Sequence, residues 1–239
     1  MSIATYNAAA FDAYAAQYEQ ALSSGLSVSG EGPEFFARKR IAWTKEVLAQ
    51  ASPIKRVLDF GCGVGTGVPL IRELIQPEFI QGFDPSRAAI DRAREELSDS
   101  QTEFTARADQ ISEDVFELAY CNGVFHHISP ADRPTALATV YRSLRPGGCF
   151  ALWENNPWNP GTRYVMSKIP FDRDAIVISP PACRAMLRSA GFQIQRTDAW
   201  FLFPRMLSWL RPIESLVHRL PFGAQYLVLA QKPVSLGEL

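Results

Sequence analysis

The sequence predicts an α/β domain built on a mostly parallel sheet, and three observations carry that prediction. Short apolar runs alternate with helical patterns between residues 56 and 154. A glycine-rich turn, "VLDFGCGVGTG", leaves one of those runs and enters a helix. The acid in "GFDPS" closes the next run. Strand and helix in alternation make parallel strands joined by right-handed crossovers.

The elements follow in order. Phe11, Tyr14, Ala15, Tyr18 and Leu22 recur at helical spacing over residues 7–22, and "SSGLSVSGEGP" ends that helix. A second amphipathic helix runs from about Glu34 to Gln50. The strand candidates are 56–61, 79–84, 103–107, 116–122 and 148–154, with helices at 67–76, 86–97 and 131–144 between them. After residue 180 come a helix ("PPACRAMLRSAG"), a strand ("FQIQRTDAW") and a closing strand ("QYLVLAQK"). Two segments break the alternation, 155–179 and 202–222. Both are too apolar for disorder, so they are expected to be substrate-side lids or an oligomer contact such as a homodimer seam. The arm 202–222, with its prolines and arginines among apolar residues, also fits a membrane surface. The expected organisation is a helical cap over 1–50 and a core over 51–239 carrying those two insertions.

Composition narrows the function. Of 239 residues 47% are hydrophobic and 21% charged, enough for one sizeable core, and the net charge of −1 supplies no global basic field for nucleic acid. Cys62, Cys121, Cys149 and Cys183 form no CxxC pair and read as reduced, buried residues. The first twenty residues lack a basic start with a sustained apolar run, and no apolar stretch reaches bilayer length, so a cytoplasmic chain without stable membrane insertion is expected.

The glycine turn states its chemistry through its neighbours. Gly61, Gly63 and Gly65, with Cys62 between the first two, let backbone approach a ligand closely. Asp59 precedes them at the strand end, placed to attract a ligand ammonium. The spacing is GxGxG, not the GxGxxG of dinucleotide sites. Asp84, followed by Pro85 and Ser86, stands 19 residues after Gly65, where an acid accepts ribose hydroxyls.

With "FDAYAAQYEQ", "ARADQI", "YCNGVFHHIS", "LRPGG" and "AQYLVLAQK" in the same order along most of the chain, this set resembles the class I S-adenosylmethionine-dependent methyltransferases, especially those acting on small molecules. The resemblance implies a Rossmann-like seven-stranded sheet with one antiparallel C-terminal strand, helices on both faces and an N-terminal helical lid. It implies S-adenosylmethionine as cofactor, with Asp59 and the glycines at the methionine part and Asp84 at the ribose. Asp109 takes the place of an acid near the adenine amino group, with Gln110 beside it. Asn122 at the end of strand four and Tyr18 from the leading helix join the expected cofactor set, as does Arg40, either a planar fork for the cofactor carboxylate or a surface arginine in "ARKRIAW". A nicotinamide oxidoreductase and a non-catalytic cofactor-binding or scaffold protein are the competing readings.

His126 and His127 follow strand four, and Glu154 ends strand five, so these three are the candidate bases. Each has a plainer alternative: a loop-packing histidine, or a capping or salt-bridging carboxylate. His218, in the apolar arm, reads as structural. With Glu154 the only carboxylate near the histidines, no metal is expected. "LWENNPWNPG" (152–161) resembles the Asn-Pro-aromatic clamp of base amino-methyltransferases. It follows strand five, however, whereas that clamp follows strand four, and it holds a single proline before the aromatic. A small-molecule acceptor and no nucleic acid are therefore expected, with oxygen the first choice of accepting atom and nitrogen or carbon next.

Overall fold

The computed structural model describes residues 25–49, 53–172 and 175–234. The leading helix expected over 7–22, with Tyr6, Tyr14 and Tyr18, lies outside the described residues.

Seven strands form one sheet: β1 (Arg56–Phe60), β2 (Phe79–Phe83), β3 (Thr102–Thr105), β4 (Phe116–Asn122), β5 (Leu144–Asn155), β6 (Gln193–Trp200) and β7 (Gln225–Gln231). Their spatial order is β3-β2-β1-β4-β5-β7-β6, and β7 runs antiparallel to both neighbours while all other pairings are parallel. The expected Rossmann-like sheet with one antiparallel C-terminal strand is the observed one.

Successive strand residues face opposite sides, and here both sides are covered, which is why the strands read as continuous apolar runs. Leu58, Phe150, Leu152, Tyr226 and Val228 pack on one face with α4 (Arg133–Ser143) and α6 (Pro180–Ser189). Val57, Ala151, Trp153, Leu227 and Leu229 pack on the other with α1 (Pro33–Val47), α2 (Val68–Leu74) and α3 (Arg87–Leu97). Two indoles pin α1 to the sheet. Trp153 Nε1 donates to Thr44 Oγ1 at 3.0 Å, and Trp43 Nε1 donates to the buried Asp198 Oδ2 at 2.9 Å.

The departures from the sequence reading have local causes. β5 begins at Leu144, not residue 148, because "LRPGG" is absorbed as an irregularity: Leu144 pairs with Phe116 and Cys149 with Leu118, with Gly147 at φ +79° between them. A Cβ on Gly148 would stand 2.7 Å from the Phe116 carbonyl oxygen, so only glycine lets the two backbones meet there. The connection 155–179 contains α5 (Pro160–Lys168), whose start follows from chemistry the sequence displays. Asn159 caps it, its Oδ1 accepting from the Thr162 N–H at 3.0 Å, and Pro160 fills the first turn.

The arm 202–222 folds as a 3-10 stretch, Arg205–Ile213, running into α7 (Glu214–Val217). The buried Glu214 accepts from the backbone N–H groups of Leu202 and Phe203, closing the arm on itself. Asn156 ties the two insertions together. It is fully buried, and its Nδ2 donates to the Pro221 and Gly223 carbonyls. Asn159 Nδ2 adds a bond to the Phe222 carbonyl, so "ENNPWN" is the knot between lid and arm. His218 stacks on Trp200 at 5.7 Å and 11°, away from both cavities described below. No helix of the described residues is long and apolar enough to cross a membrane.

Candidate active site

In an open α/β sheet a ligand sits beyond the carboxyl ends of the strands, where the direction of the connections reverses. That point lies between β1 and β4, and a cavity opens there. Asp59, Gly61, Cys62 and Gly63 line it from the β1 side, Asp84 and Ser86 from β2, and Tyr120 and Asn122 from β4. Gly61 and Gly63 hold φ of +81° and +55°. A Cβ on Gly61 would strike Val124 at 2.3 Å, whereas one on Gly63 meets nothing within 4 Å and would project into the cavity. The first glycine is needed for packing and the second for ligand access.

Asp84 braces this loop. Its Oδ2 accepts from the Gly63 N–H at 3.0 Å and its Oδ1 from the Ser86 N–H at 2.9 Å, which fixes the carboxylate at the cavity wall. Asp59 is 5% exposed, and burial, with Asp84 nearby, pushes its pKa up to about 7. Among the described residues the buried Asn122 Oδ1 and Arg40 Nε have no hydrogen-bond partner, and both residues line this cavity. A buried carboxylate and an amide oxygen suit an ammonium group, and a guanidinium suits a carboxylate. Asp59, Asn122, Arg40 and Asp84 thus bring acceptors and a guanidinium donor to one cavity.

Other sequence-predicted residues fall elsewhere. Asp109 points outward, its carboxylate paired with Arg107 on a 3-10 turn, Ala108–Gln110, and lines neither cavity. Gln110 Oε1 accepts from Thr105 Oγ1, and its backbone carbonyl accepts from Gln81 Nε2. Pro85 also lies off both linings, whereas Gly65 packs its Cα side against Leu97 and Phe104 beneath the loop.

A second cavity of about 440 Å³ adjoins the first, and Arg40, Asn122, Gly123 and His127 border both. Its walls are apolar (Phe35, Phe36, Val165, Met166, Phe201, Phe203), with α5 and the 202–222 arm as its outer side. Its polar corner is a cluster of four groups. His126 Nδ1 lies 2.5 Å from Glu154 Oε2, and Glu154 Oε1 accepts from the Phe125 N–H at 2.8 Å. Asp172 Oδ1, from the turn after α5, lies 3.7 Å from His126 Nε2 and 3.3 Å from His127 Nε2. Burial pulls the His126 pKa down, but Glu154 and Asp172 outweigh it and raise it to about 10. His127, 3.3 Å from Asp172, is held below its ordinary value mainly by burial.

Glu154, a candidate base by sequence, lines neither cavity; it stands behind His126. Removing one partner of a buried ion pair strands the other charge, at roughly 3–5 kcal/mol. Glu154→Gln, which keeps an acceptor for Phe125, is expected to lose about that much stability in urea denaturation. An unchanged midpoint would mean that the pair is not ionised. Asp172 is the residue that sequence reasoning missed. "PFDRD" carries no spacing signal linking it to the histidines 45 and 46 positions earlier.

Fold and cavity together define a Rossmann-like domain with a polar cleft at the switch point of its sheet. Residues 58–150 match the family model of the methyltransferase domain. Carboxy-S-adenosyl-L-methionine synthase of Trichodesmium erythraeum is 30% identical over 48% of this chain and 46% of its own length. Trans-aconitate 2-methyltransferase of Delftia acidovorans is 25% identical over 56% of this chain and 51% of its own. These alignments span about half the length of each relative. An S-adenosylmethionine-dependent methyltransferase structure from Thermotoga maritima has the same fold, with a TM-score of 0.61 at 18% identity over 93% of this chain and 98% of that one. Residues 58–150 thus match a methyltransferase domain, and the fold of the chain is that of S-adenosylmethionine-dependent methyltransferase structures.

Proposed function

We propose that the protein transfers the methyl group of S-adenosylmethionine to a small molecule with an apolar body and one polar reacting atom, oxygen first. The observation that carries this reading is the pair of adjoining cavities that share Arg40, Asn122, Gly123 and His127 as their common border. When bound, the cofactor supplies an electrophilic methyl on a sulfonium. Asp59, Asn122 and Arg40 would hold its amino-acid end and Asp84 its ribose. The volume of the second cavity is in the range of small-molecule sites. Its apolar wall and the lid formed by α5 and the arm exclude water and align the acceptor for in-line displacement.

His127 is neutral near pH 7 because burial depresses its pKa, so it can receive the acceptor's proton. Asp172 orients it, and Glu154 acts through His126 to hold the turn. Residues 1–50 serve as the cap, with α1 contributing Arg40, Phe35 and Phe36 to the site. Tyr18 is assigned to the same cap.

The test is transfer of label from methyl-tritiated S-adenosylmethionine into a fractionated cell extract. The expected result is label in a low-mass organic fraction with the wild type and none with Asp84→Ala. Label confined to RNA or protein, or never leaving the cofactor, overturns the reading. With an acceptor in hand, His127→Ala is expected to lower kcat by about 10²–10⁴-fold while the KM for S-adenosylmethionine changes little.

A further inference from the structure

The polar corner of the second cavity has the geometry of a metal site. One atom each of His126, His127 and Asp172 lies within 4.8 Å of the others. Two donors bonded to one ion at about 2.1 Å stand roughly 3.0–3.4 Å apart at octahedral or tetrahedral angles. The His127–Asp172 separation of 3.3 Å already falls in that range, and the His126–Asp172 separation of 3.7 Å needs only a small adjustment.

Three further observations make this a built site rather than a chance cluster. Glu154 engages His126 Nδ1, which fixes the ring orientation and directs Nε2 toward Asp172 and the cavity. A carboxylate behind a ligand histidine is the usual support of a protein metal centre. The two ligand-bearing turns are fastened together: the Ile176 N–H donates to the His126 carbonyl at 2.8 Å, while Arg133 bonds the Phe125, Ile128 and Ile176 carbonyls. The ligands are nearly buried, yet all three line the larger cavity, so an ion there would have protein on one side and open positions toward the acceptor.

We propose that His126, His127 and Asp172 bind one divalent transition-metal ion, with Glu154 as the residue that positions His126. Two imidazoles and a single carboxylate favour zinc, cobalt, iron(II) or manganese over magnesium or calcium, which take oxygen-rich sets. An acceptor hydroxyl in an open position would be acidified by the ion. In that case its proton is lost on coordination and His127 serves as ligand, the oxygen then being the nucleophile for the methyl. That use rests on the methyl-transfer reading; binding of the ion does not.

Cobalt(II) is the probe. Protein freed of metal with a chelator is titrated with Co²⁺, and one equivalent is expected to bind, giving visible ligand-field absorption that Zn²⁺ displaces. Asp172→Asn and His127→Gln are expected to weaken binding at least about 10-fold, and Glu154→Gln to do so by about 10–100-fold. S-adenosylhomocysteine calorimetry on the same samples reports the integrity of the cofactor cavity independently, so failure of metal binding and failure of the methyltransferase reading are separable. Absence of stoichiometric cobalt uptake by the wild type overturns the proposal. So does undiminished uptake by an Asp172→Asn protein that still binds S-adenosylhomocysteine.

Discussion

Asp84→Ala is expected to weaken S-adenosylhomocysteine binding by at least about 100-fold. In the proposed role the carboxylate accepts two charge-assisted hydrogen bonds from a ribose, each worth roughly 1.5–3 kcal/mol, and every 1.4 kcal/mol is about a factor of ten. It also accepts the Gly63 and Ser86 N–H groups, so its removal loosens the turn that faces the ligand. Asp84→Asn keeps the shape and one acceptor oxygen and is expected to fall between alanine and the wild type. Titration calorimetry measures both. An alanine variant that binds as the wild type does would show that the ribose is held elsewhere. Because Asp84 lies at a strand end and contributes no apolar packing, the thermal midpoint of the unliganded variant is expected to change far less than its affinity.

The strands themselves and the residues that line the first cavity were legible because both depend on local pattern. Asp59 and Asp84 terminate runs whose apolar composition already marks buried parallel strands. Gly61 and Gly63 fall between strand and helix, where only a glycine turn fits. Asp109 illustrates the limit of local reading. Its position in the chain matched the expected acid, but the 3-10 turn aims its carboxylate outward at Arg107, two residues away. A turn of three residues has no periodicity from which to read side-chain direction.

The second cavity was less legible, since its walls come from parts of the chain with no shared signal. Asp172 reaches the histidines only because α5 carries the chain back to them, and the expectation of a lid or oligomer contact over 155–179 contained no helix. Asn159 and Pro160 form a helix start, but Pro157 three residues earlier fits an irregular turn equally well. Asn156, central to the stretch that resembles a base clamp, binds the Pro221 and Gly223 carbonyls instead of facing the cofactor cavity. Its amide thereby couples the acceptor lid to the 202–222 arm. The arm presents Leu202, Phe203 and Pro204 inward and leaves Met206, Trp209 and Leu216 exposed.

Asp59→Asn is expected to stabilise the unliganded protein at pH 8 while weakening the cofactor product. Burial first, and then Asp84, raise the folded-state pKa of Asp59 to about 7, against about 3.9 in an unfolded chain. Between these values the folded state retains a proton that the unfolded state has released, so stability falls as pH rises. The stabilisation is complete below about pH 4 and gone above about pH 7. Integrated over that interval the loss is of the order of 4 kcal/mol. Asparagine does not titrate, so the variant escapes this loss and is expected to melt above the wild type at pH 8, with the difference vanishing near pH 4. Binding has the opposite dependence. An ammonium placed beside Asp59 favours the ionised carboxylate, so wild-type affinity for S-adenosylhomocysteine is expected to fall about 10-fold per unit as pH drops below 7. The variant is expected to bind more weakly and without that slope. Thermal melts at pH 4, 6 and 8, with and without S-adenosylhomocysteine, separate the two effects. A variant that melts below the wild type at pH 8 without ligand would show that Asp59 is held by partners that already satisfy its charge. The alternative outcome, higher melting with lost affinity, identifies Asp59 as a residue kept at a cost to stability for the ligand it receives.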